Sequence, residues 1–534
     1  MDTQVVIVGA GPTGLTLAID LALRGVRSTL IEQKEAPAFL PKMERCNART
    51  MEIYRRMGLA ERVRAAGLPA HCPMDIFVIF SMVEPPLVHH PHPSVAQARE
   101  RIAKCRDATL PLEPYQLISQ YTLEPLLKSI AESMPAIAVR FGHEFLSFAQ
   151  DPDGVTATVR TSAGVTSEIR GRYLVGCDGG ASTVRKQLGI ALEGEGNLLQ
   201  LCQALFRCDE LYERIPIGKG RHYHVADDRA TQMIVQDSTR HFTLHSVVDT
   251  EAEMKPMFEK TIAMPLAYEM INAGMWRQNL LLAERYGDGR VFLAGDAVHL
   301  VIPTGGLGMN SGVGDAVDLS WKLAATLAGW GGQKLLTAYE TERRQVGANN
   351  VAASRHATMG RRKWRGLYTP LIRENTPEGL AARAAFAKVA DVEQRKSSDM
   401  IGAELGYRYV SPLIAVESGE GPEYKFMEYT PTTWPGARLP HMWLDDGSAM
   451  QDRIGYGHGY TLLRLGGTRA ETSALEQAFT ALGAPLQVLD VPDAAPRDVY
   501  GHDLLLLRPD MHVAWRGNAL PPEPAALAAV ATGH

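Results

Sequence analysis

The sequence predicts an α/β protein that opens on a βαβ unit and carries a separate, largely antiparallel sheet inserted into it. Two observations lead there. The apolar run Val5-Val6-Ile7-Val8 meets a glycine cluster, after which Leu15, Leu17, Ala18, Leu21 and Ala22 recur at helical spacing and a second apolar run ends on Ile31-Glu32. Residues 198–248 hold several short alternating runs without a strong helical pattern, as the strands of an antiparallel sheet do. At 534 residues, 45% of them apolar, the chain exceeds what one core supports, so two or three domains are expected.

The remaining elements follow in order. Asn47 is placed to cap a helix running through Met57 to a glycine stop at Gly58. From 76 to 107 the chain is rich in Pro and His (Pro85-Pro86, His89-His90-Pro91-His92-Pro93) and reads as a mobile excursion more than as core. A long helix follows Gln120, and residues 154–176 read as a hairpin and a strand. Past the glycine cluster at 305–314 a helix is expected from Ala316 to Leu327, then more helix to about 400. Prolines between 411 and 440 mark a linker into a last unit containing the strand Thr461-Leu462-Leu463-Arg464-Leu465. The Ala- and Pro-rich end, Pro521 to His534, reads as frayed.

Charge and composition exclude several classes. Fifty-five Lys and Arg against 60 Asp and Glu, a formal charge of −5, give no footprint for nucleic acid or an anionic membrane. No apolar run reaches the roughly 18 residues of a membrane span, and no leader pattern precedes the first strand, so a cytoplasmic location is expected. The six cysteines lack CxxC or Cys/His ligand spacing, as reduced thiols do. Prolines between His89, His90 and His92 oppose convergence on a metal, and none is expected.

Three motifs carry the chemistry. In Gly9-Ala10-Gly11-Pro12-Thr13-Gly14 the glycines permit a tight turn and close approach of a pyrophosphate to a helix N-terminus, and Glu32 ends the next strand, where it can accept from ribose hydroxyls. The adenosine of FAD or of NAD suits this Rossmann-like unit equally. The second motif is Tyr173-Leu174-Val175-Gly176-Cys177-Asp178-Gly179-Gly180, with Ser182 and Arg185 following. In the third, Gly289-Arg290-Val291-Phe292-Leu293-Ala294-Gly295-Asp296-Ala297, an apolar strand ends on an acid, and Pro303 to Asn310 then lead into a helix whose free N–H groups can hold negative charge.

These motifs, in this order and at these separations, resemble the class A FAD-dependent aromatic hydroxylases of the p-hydroxybenzoate hydroxylase fold. The likeness spans residues 3 to 360, and the layout is similar to the longer phenol- and polyketide-hydroxylase type, such as 3-(3-hydroxyphenyl)propionate hydroxylase. Pro435 to His441 and Leu507 to Arg516 resemble that type's thioredoxin-like C-terminal domain. No cysteine follows Cys208, so that domain is expected to serve packing or self-association rather than redox chemistry. The resemblance implies an FAD-binding domain from 1–75, 108–190 and 276–400, a substrate domain from 76–107 and 191–275, and a linker plus C-terminal domain from 401–534. It also implies FAD as cofactor, NADH or NADPH as co-substrate, and O2 carried through a flavin hydroperoxide to a small aromatic, phenolic substrate. Gly9, Gly11, Gly14 and Glu32 would then hold the ADP half, and Gln120 and Asp296 the pyrophosphate and ribityl region. Asp178 would serve FAD and the nicotinamide, with Arg185 tying its loop down. Gly308, Met309 and Asn310 would face the isoalloxazine, with the Pro303 backbone at its reacting edge. Arg45 is a further flavin candidate, against its reading as a solvated charge.

The substrate-activating base is not evident. His222 with His224, Gln232 with Gln236 and His241 with His245 share strand faces by alternation, while Tyr223, Met233, Val235, Phe242 and Leu244 lie opposite and suit an aromatic ring. His222, His224 and His241 are the candidates, weighed against polar faces turned simply to solvent. Pro41-Lys42-Met43-Glu44-Arg45 lacks the histidine that phenol hydroxylases carry there. The alternative reading is an epoxidase or other flavin oxidoreductase of this fold acting on a polyketide or terpenoid. A tryptophan-type halogenase is excluded because no Trp-x-Trp-x-Ile-Pro is present.

Overall fold

In the computed structural model, which describes residues 2–457 and 459–534, the opening unit is the strand Val5–Val8, the helix Pro12–Leu23 and the strand Ser28–Ile31. Both strands sit in a six-stranded sheet ordered Gly287–Asp288, Val291–Leu293, Tyr173–Gly176, Val5–Val8, Ser28–Ile31, Ile137–Arg140. All neighbours are parallel except the first pair. Parallel strands need cover on both faces, which is why Val5 to Val8 and Tyr173 to Gly176 are buried throughout.

A seven-stranded sheet forms the second layer, ordered Glu269–Arg277, Gln200–Arg207, His241–Ser246, Gln232–Val235, Gly220–Val225, Asp75–Ile79, Val88–His90. It is antiparallel apart from the contact of Gly220–Val225 with Asp75–Ile79. The mobile excursion expected over 76–107 is therefore corrected. Its prolines fall in the turns, Ile76 to Ile79 are buried, and Ser94 opens the helix Val95–Lys104 with a capping box to Gln97.

Asn47 caps the helix Ala48–Arg56 as expected, its side chain accepting from Thr50 N at 2.9 Å. It is also buried, so Asn47→Ala should cost about 1 kcal/mol of stability, within the 0.5–2 range for lost caps, read as a lower urea midpoint with unchanged slope.

The helix expected from Ala316 begins earlier, at Gly308, and runs to Leu327. Its glycines are packing devices rather than a loop: a Cβ on Gly312 would lie 2.3 Å from Thr13 Oγ1, so the Thr13 side chain of the first helix packs directly on this helix's backbone. Lys334–Arg365 and Pro377–Arg395 follow.

The C-terminal unit is a four-stranded sheet ordered Leu486–Val491, Tyr460–Leu465, Leu504–Leu507, Val513–Gly517, parallel in its first pair and antiparallel thereafter, flanked by the helices Ser473–Ala481, Ala494–Tyr500 and Pro524–Thr532. That order is thioredoxin-like. The frayed end is corrected too: Pro524–Thr532 is a helix, entered through a proline at its first turn, that buries Leu527, Ala528 and Ala531 beside Tyr460 and Phe479. This unit packs on the nucleotide-binding layer through buried charge. Arg508 reaches Glu342 at 2.6 Å and Asp318 at 3.0 Å, and Arg438 reaches Glu52 at 3.0 Å. Among the described residues no helix is long and apolar enough to cross a membrane.

Candidate active site

Register places the three motifs together. Val8 pairs with Gly176, and Gly176 with Leu293, so Gly9 to Gly14, Cys177 to Gly180 and Ala294 to Ala297 all leave the same carboxyl edge of the sheet. The N-terminus of Gly308–Leu327 points to that edge, and the polar face of the second sheet closes the far side. Between them lies a cavity of about 1410 Å³. Single-ligand clefts run roughly 300–1,000 Å³, so this one has room for a cofactor and a substrate together.

The glycines divide the work. Gly9 has φ +102°, and a Cβ there would sit 2.4 Å from the Cys177 carbonyl oxygen. A Cβ on Gly14 would sit 2.0 Å from the Gly9 oxygen, which locks helix against strand. Gly11 differs: its φ is −72°, and the nearest atom to an added Cβ is Glu124 Oε1 at 3.9 Å. Neither backbone nor packing asks for glycine at 11, and the bare surface is left open to the cavity. Beside it the helix Pro12–Leu23 starts without a side-chain cap, as does Gly308–Leu327, which also has no acid in its first turn. Two sets of free N–H groups thus face one cavity, and a ligand with a pyrophosphate at one end and an electron-rich ring at the other, as FAD has, suits both.

Glu32 steadies the glycine turn, accepting from Ala10 N and Lys34 N, each at 3.0 Å. Gln120 lines the cavity with its amide nitrogen on Glu124 at 2.6 Å. Asp296 projects into the cavity, where the surrounding walls raise its carboxyl above the usual range. Asp178 accepts from Ser182 Oγ at 2.5 Å, Thr183 N at 2.7 Å and Val184 N at 3.1 Å. Arg185 holds the loop of Asp178 through its backbone: it donates to the carbonyls of Gly180 at 3.2 Å and Ala297 at 2.9 Å, and so ties the second motif's turn to the third.

Gly308 and Met309 line the cavity, as does Asn310, whose side chain accepts from Asn47 N at 2.8 Å and donates to the Gly306 carbonyl at 2.7 Å. The Pro303 carbonyl accepts from Gly306 N at 2.9 Å, closing the turn before that helix. Arg45 is not a solvated charge: it is 5% exposed and donates to the Gly305 carbonyl at 2.7 Å and to Glu404 at 3.3 Å.

The second sheet reverses the expected use of its faces. Tyr223, Met233, Val235, Phe242 and Leu244 pack into the core behind the sheet, while His222, Gln232, Gln236, Thr243 and His245 face the cavity. The polar set looks inward because a second layer covers it. Of the three histidine candidates the cavity wall includes His222. His224 lies deeper, with Gln394 Nε2 donating to its Nε2 at 3.0 Å, and burial among guanidinium groups pushes its pKa well down. His241 sits outside the cavity lining with Nδ1 on Ser238 at 2.7 Å.

His222 Nε2 stands 2.7 and 2.8 Å from the two carboxylate oxygens of Glu44. Burial lowers His222 to about 4 against the opposing pull of Glu44, and His222 with Arg221 and Arg45 holds Glu44 at about 2. Near neutral pH the pair is therefore a carboxylate bonded to a neutral imidazole, Nε2–H donating, which leaves Nδ1 as the ring's acceptor. Glu44 stands in the stretch from Pro41 to Arg45, which has no histidine of its own; its partner comes from a strand 178 positions away. Trp276 and three arginines at 361, 362 and 365 also line the cavity and were not singled out by sequence. The His89, His90 and His92 side chains turn to separate acids, Asp75, Asp391 and Asp399.

A glycine cradle at a helix N-terminus and a covered polar chamber share one cavity, the arrangement of a dinucleotide-dependent oxidoreductase. Residues 2–354 match the family model described as FAD binding domain, and residues 432–533 match that of aromatic-ring hydroxylase, C-terminal. The chain belongs to the FAD-dependent aromatic-ring hydroxylases, monooxygenases that use NAD(P)H as co-substrate. It is 31% identical to the FAD-dependent monooxygenase apdD of Emericella nidulans across 97% of this chain and 88% of that one. Native and K252c-bound RebC-10x superposes with a TM-score of 0.91 at 30% identity, covering 99% of each chain. A ternary complex of aklavinone-11 hydroxylase with FAD and aklavinone gives a TM-score of 0.84 at 28% identity, covering 100% of this chain and 99% of that one.

Proposed function

We propose that the substrate is a phenol whose ring lies against the polar face of the second sheet, and that His222 accepts its hydroxyl proton while Glu44 orients the imidazole. The observation that carries this is the His222–Glu44 pair standing in the wall of the cavity that the three glycine and aspartate motifs also line. In this reading Gly9, Gly11, Gly14 and Glu32 hold the ADP half of FAD, with Gln120 and Asp296 along the pyrophosphate and ribityl. Asp178 stands by the pyrophosphate, and Arg45 and Asn310 brace the turn before the helix. Gly308, Met309 and the Pro303 backbone flank the ring. When bound, FAD supplies hydride acceptance and transfer of one oxygen atom from O2. The protein supplies a covered chamber and the proton acceptor that enriches the ring. Six free thiols suit a reducing compartment, and we place the enzyme in the cytoplasm.

Phenols and hydroxybenzoates, each beside its methyl ether, should be screened with NADH and NADPH for faster flavin reduction and for a product heavier by one oxygen from labelled O2. Phenols should be oxygenated and their ethers spared. An epoxidase would accept alkenes and tolerate the ethers, and that result would replace this reading.

A further inference from the structure

The helix Lys334–Arg365 turns Thr358, Arg361, Arg362 and Arg365 to the cavity, positions spaced three, four and seven along one face. Like charges so placed repel, and a neighbouring acid normally relieves them. Among the described residues none of these arginines has a carboxylate oxygen within 4.0 Å. Arg365 spends both Nη groups on carbonyls, Ala230 at 2.8 Å and Thr231 at 3.2 Å, with Asp227 near by. Arg361 is arranged differently. Its Nη1 donates to Gln232 Oε1 at 2.9 Å, which fixes the plane of the guanidinium. Its Nε is shielded and has no partner, and no protein acceptor meets Nη2. Burial and the neighbouring guanidiniums of Arg365 and Arg221 lower its pKa to about 9, a penalty that an arriving anion would relieve.

Nη2, without a protein acceptor, is left to donate a charge-assisted hydrogen bond to a carboxylate in the cavity. Gln232, its anchor, is two residues along the strand from Ile234, the register partner of His222. An anion on Arg361 would thus share its ring with a hydroxyl at His222.

We propose that Arg361 is the receptor for a carboxylate carried by the substrate, so that the enzyme acts on hydroxyaryl carboxylates. The inference rests on the reading of this end of the cavity as the substrate chamber. The phosphates of the nicotinamide co-substrate share the same oxyanion chemistry, and the test separates the two sources.

FAD-loaded enzyme is titrated with matched pairs, salicylate against salicylamide and 3-hydroxy-2-naphthoate against its carboxamide, following the flavin absorbance change on binding. Charged hydrogen bonds are each worth enough that the carboxylate should bind about tenfold or more tighter than its amide. Arg361→Gln should remove that preference while leaving amide affinity and the KM for NADH and NADPH within about twofold, and Arg361→Lys should keep part of it. Unchanged amide binding certifies that the variant is folded. Equal affinities within each pair, or equal loss of both members in Arg361→Gln, would overturn the proposal while leaving the chamber intact. A raised nicotinamide KM with the carboxylate preference retained would overturn it in favour of dinucleotide phosphate. If no aromatic of either kind perturbs the flavin, the chamber reading fails and this inference with it.

Discussion

Gly11→Val is expected to give a folded protein that no longer retains FAD, whereas Gly14→Val should damage the fold itself. The contrast follows from what surrounds the two positions. At Gly11 the backbone is extended, with φ −72° and ψ 178°, a conformation valine adopts readily, and an added Cβ meets nothing nearer than 3.9 Å. Apoprotein stability should stay within about 0.5 kcal/mol of the parent. The isopropyl group nevertheless fills the open approach beside the first helix, and overpacking of about 3 kcal/mol against the pyrophosphate, the upper end of the usual range, should weaken FAD about 100-fold. At Gly14 the Cβ would stand 2.0 Å from the Gly9 oxygen with or without a cofactor. Flavin-to-protein ratio and the thermal midpoint of the stripped protein read the two effects separately. A Gly11→Val enzyme that purifies yellow would refute the cradle; equal destabilisation by both variants would show that Gly11 is packing after all.

The nucleotide-binding half was legible because its chemistry is local. A strand, a glycine turn and a helix are contiguous from Val5 to Leu23, and the register of Val8, Gly176 and Leu293 needs only the rule that parallel strands end together. The substrate side was not, because alternation distinguishes two faces without saying which one meets water. Tyr223 and Phe242 looked like a ring-binding wall, yet apolar side chains seek the drier side, which is the core behind the sheet. Glu44 registered merely as a missing histidine, since its partner is brought in by tertiary pairing. The burial of Arg45 was out of reach for the same reason: Glu404 and the Gly305 carbonyl that it meets are hundreds of positions distant. The helix face of Arg361, Arg362 and Arg365 was visible in principle as cations at i, i+1 and i+4 without interleaved acids. Composition misled at both corrected segments. Prolines at 85–86 and 91–93 punctuate strands, and the alanines near the end pack a close helix.

His222→Asn should lower kcat on a phenolic substrate by about 10²-fold or more near neutral pH, the ordinary range for losing a positioned general base being 10²–10⁴. Asparagine falls short of the position of Nε2 and gives up the bond to Glu44, but the stretch carrying that acid stays anchored by Ile118 N on the Glu44 carbonyl at 2.9 Å, so FAD content should not change. The informative readout is the pH profile. In the parent enzyme the imidazole is already neutral above about 4, so its acceptor is free throughout the working range and the rate should be flat on this account. In the variant the phenol must ionise unaided, and the rate should climb with pH toward the phenol's own pKa of about 10. Glu44→Gln makes the complementary case. The Glu44 carboxylate raises the His222 pKa against burial, so removing its charge drives that pKa further down and withdraws the counter-charge that holds the imidazolium after proton transfer. The rate near neutral pH should fall, and by less than in His222→Asn, because an acceptor remains. A purely structural role for the pair predicts another pattern: lower rates at every pH and no recovery in alkali. Such a pattern would remove His222 from the chemistry and reopen the search for the base along the same wall, beginning with His245.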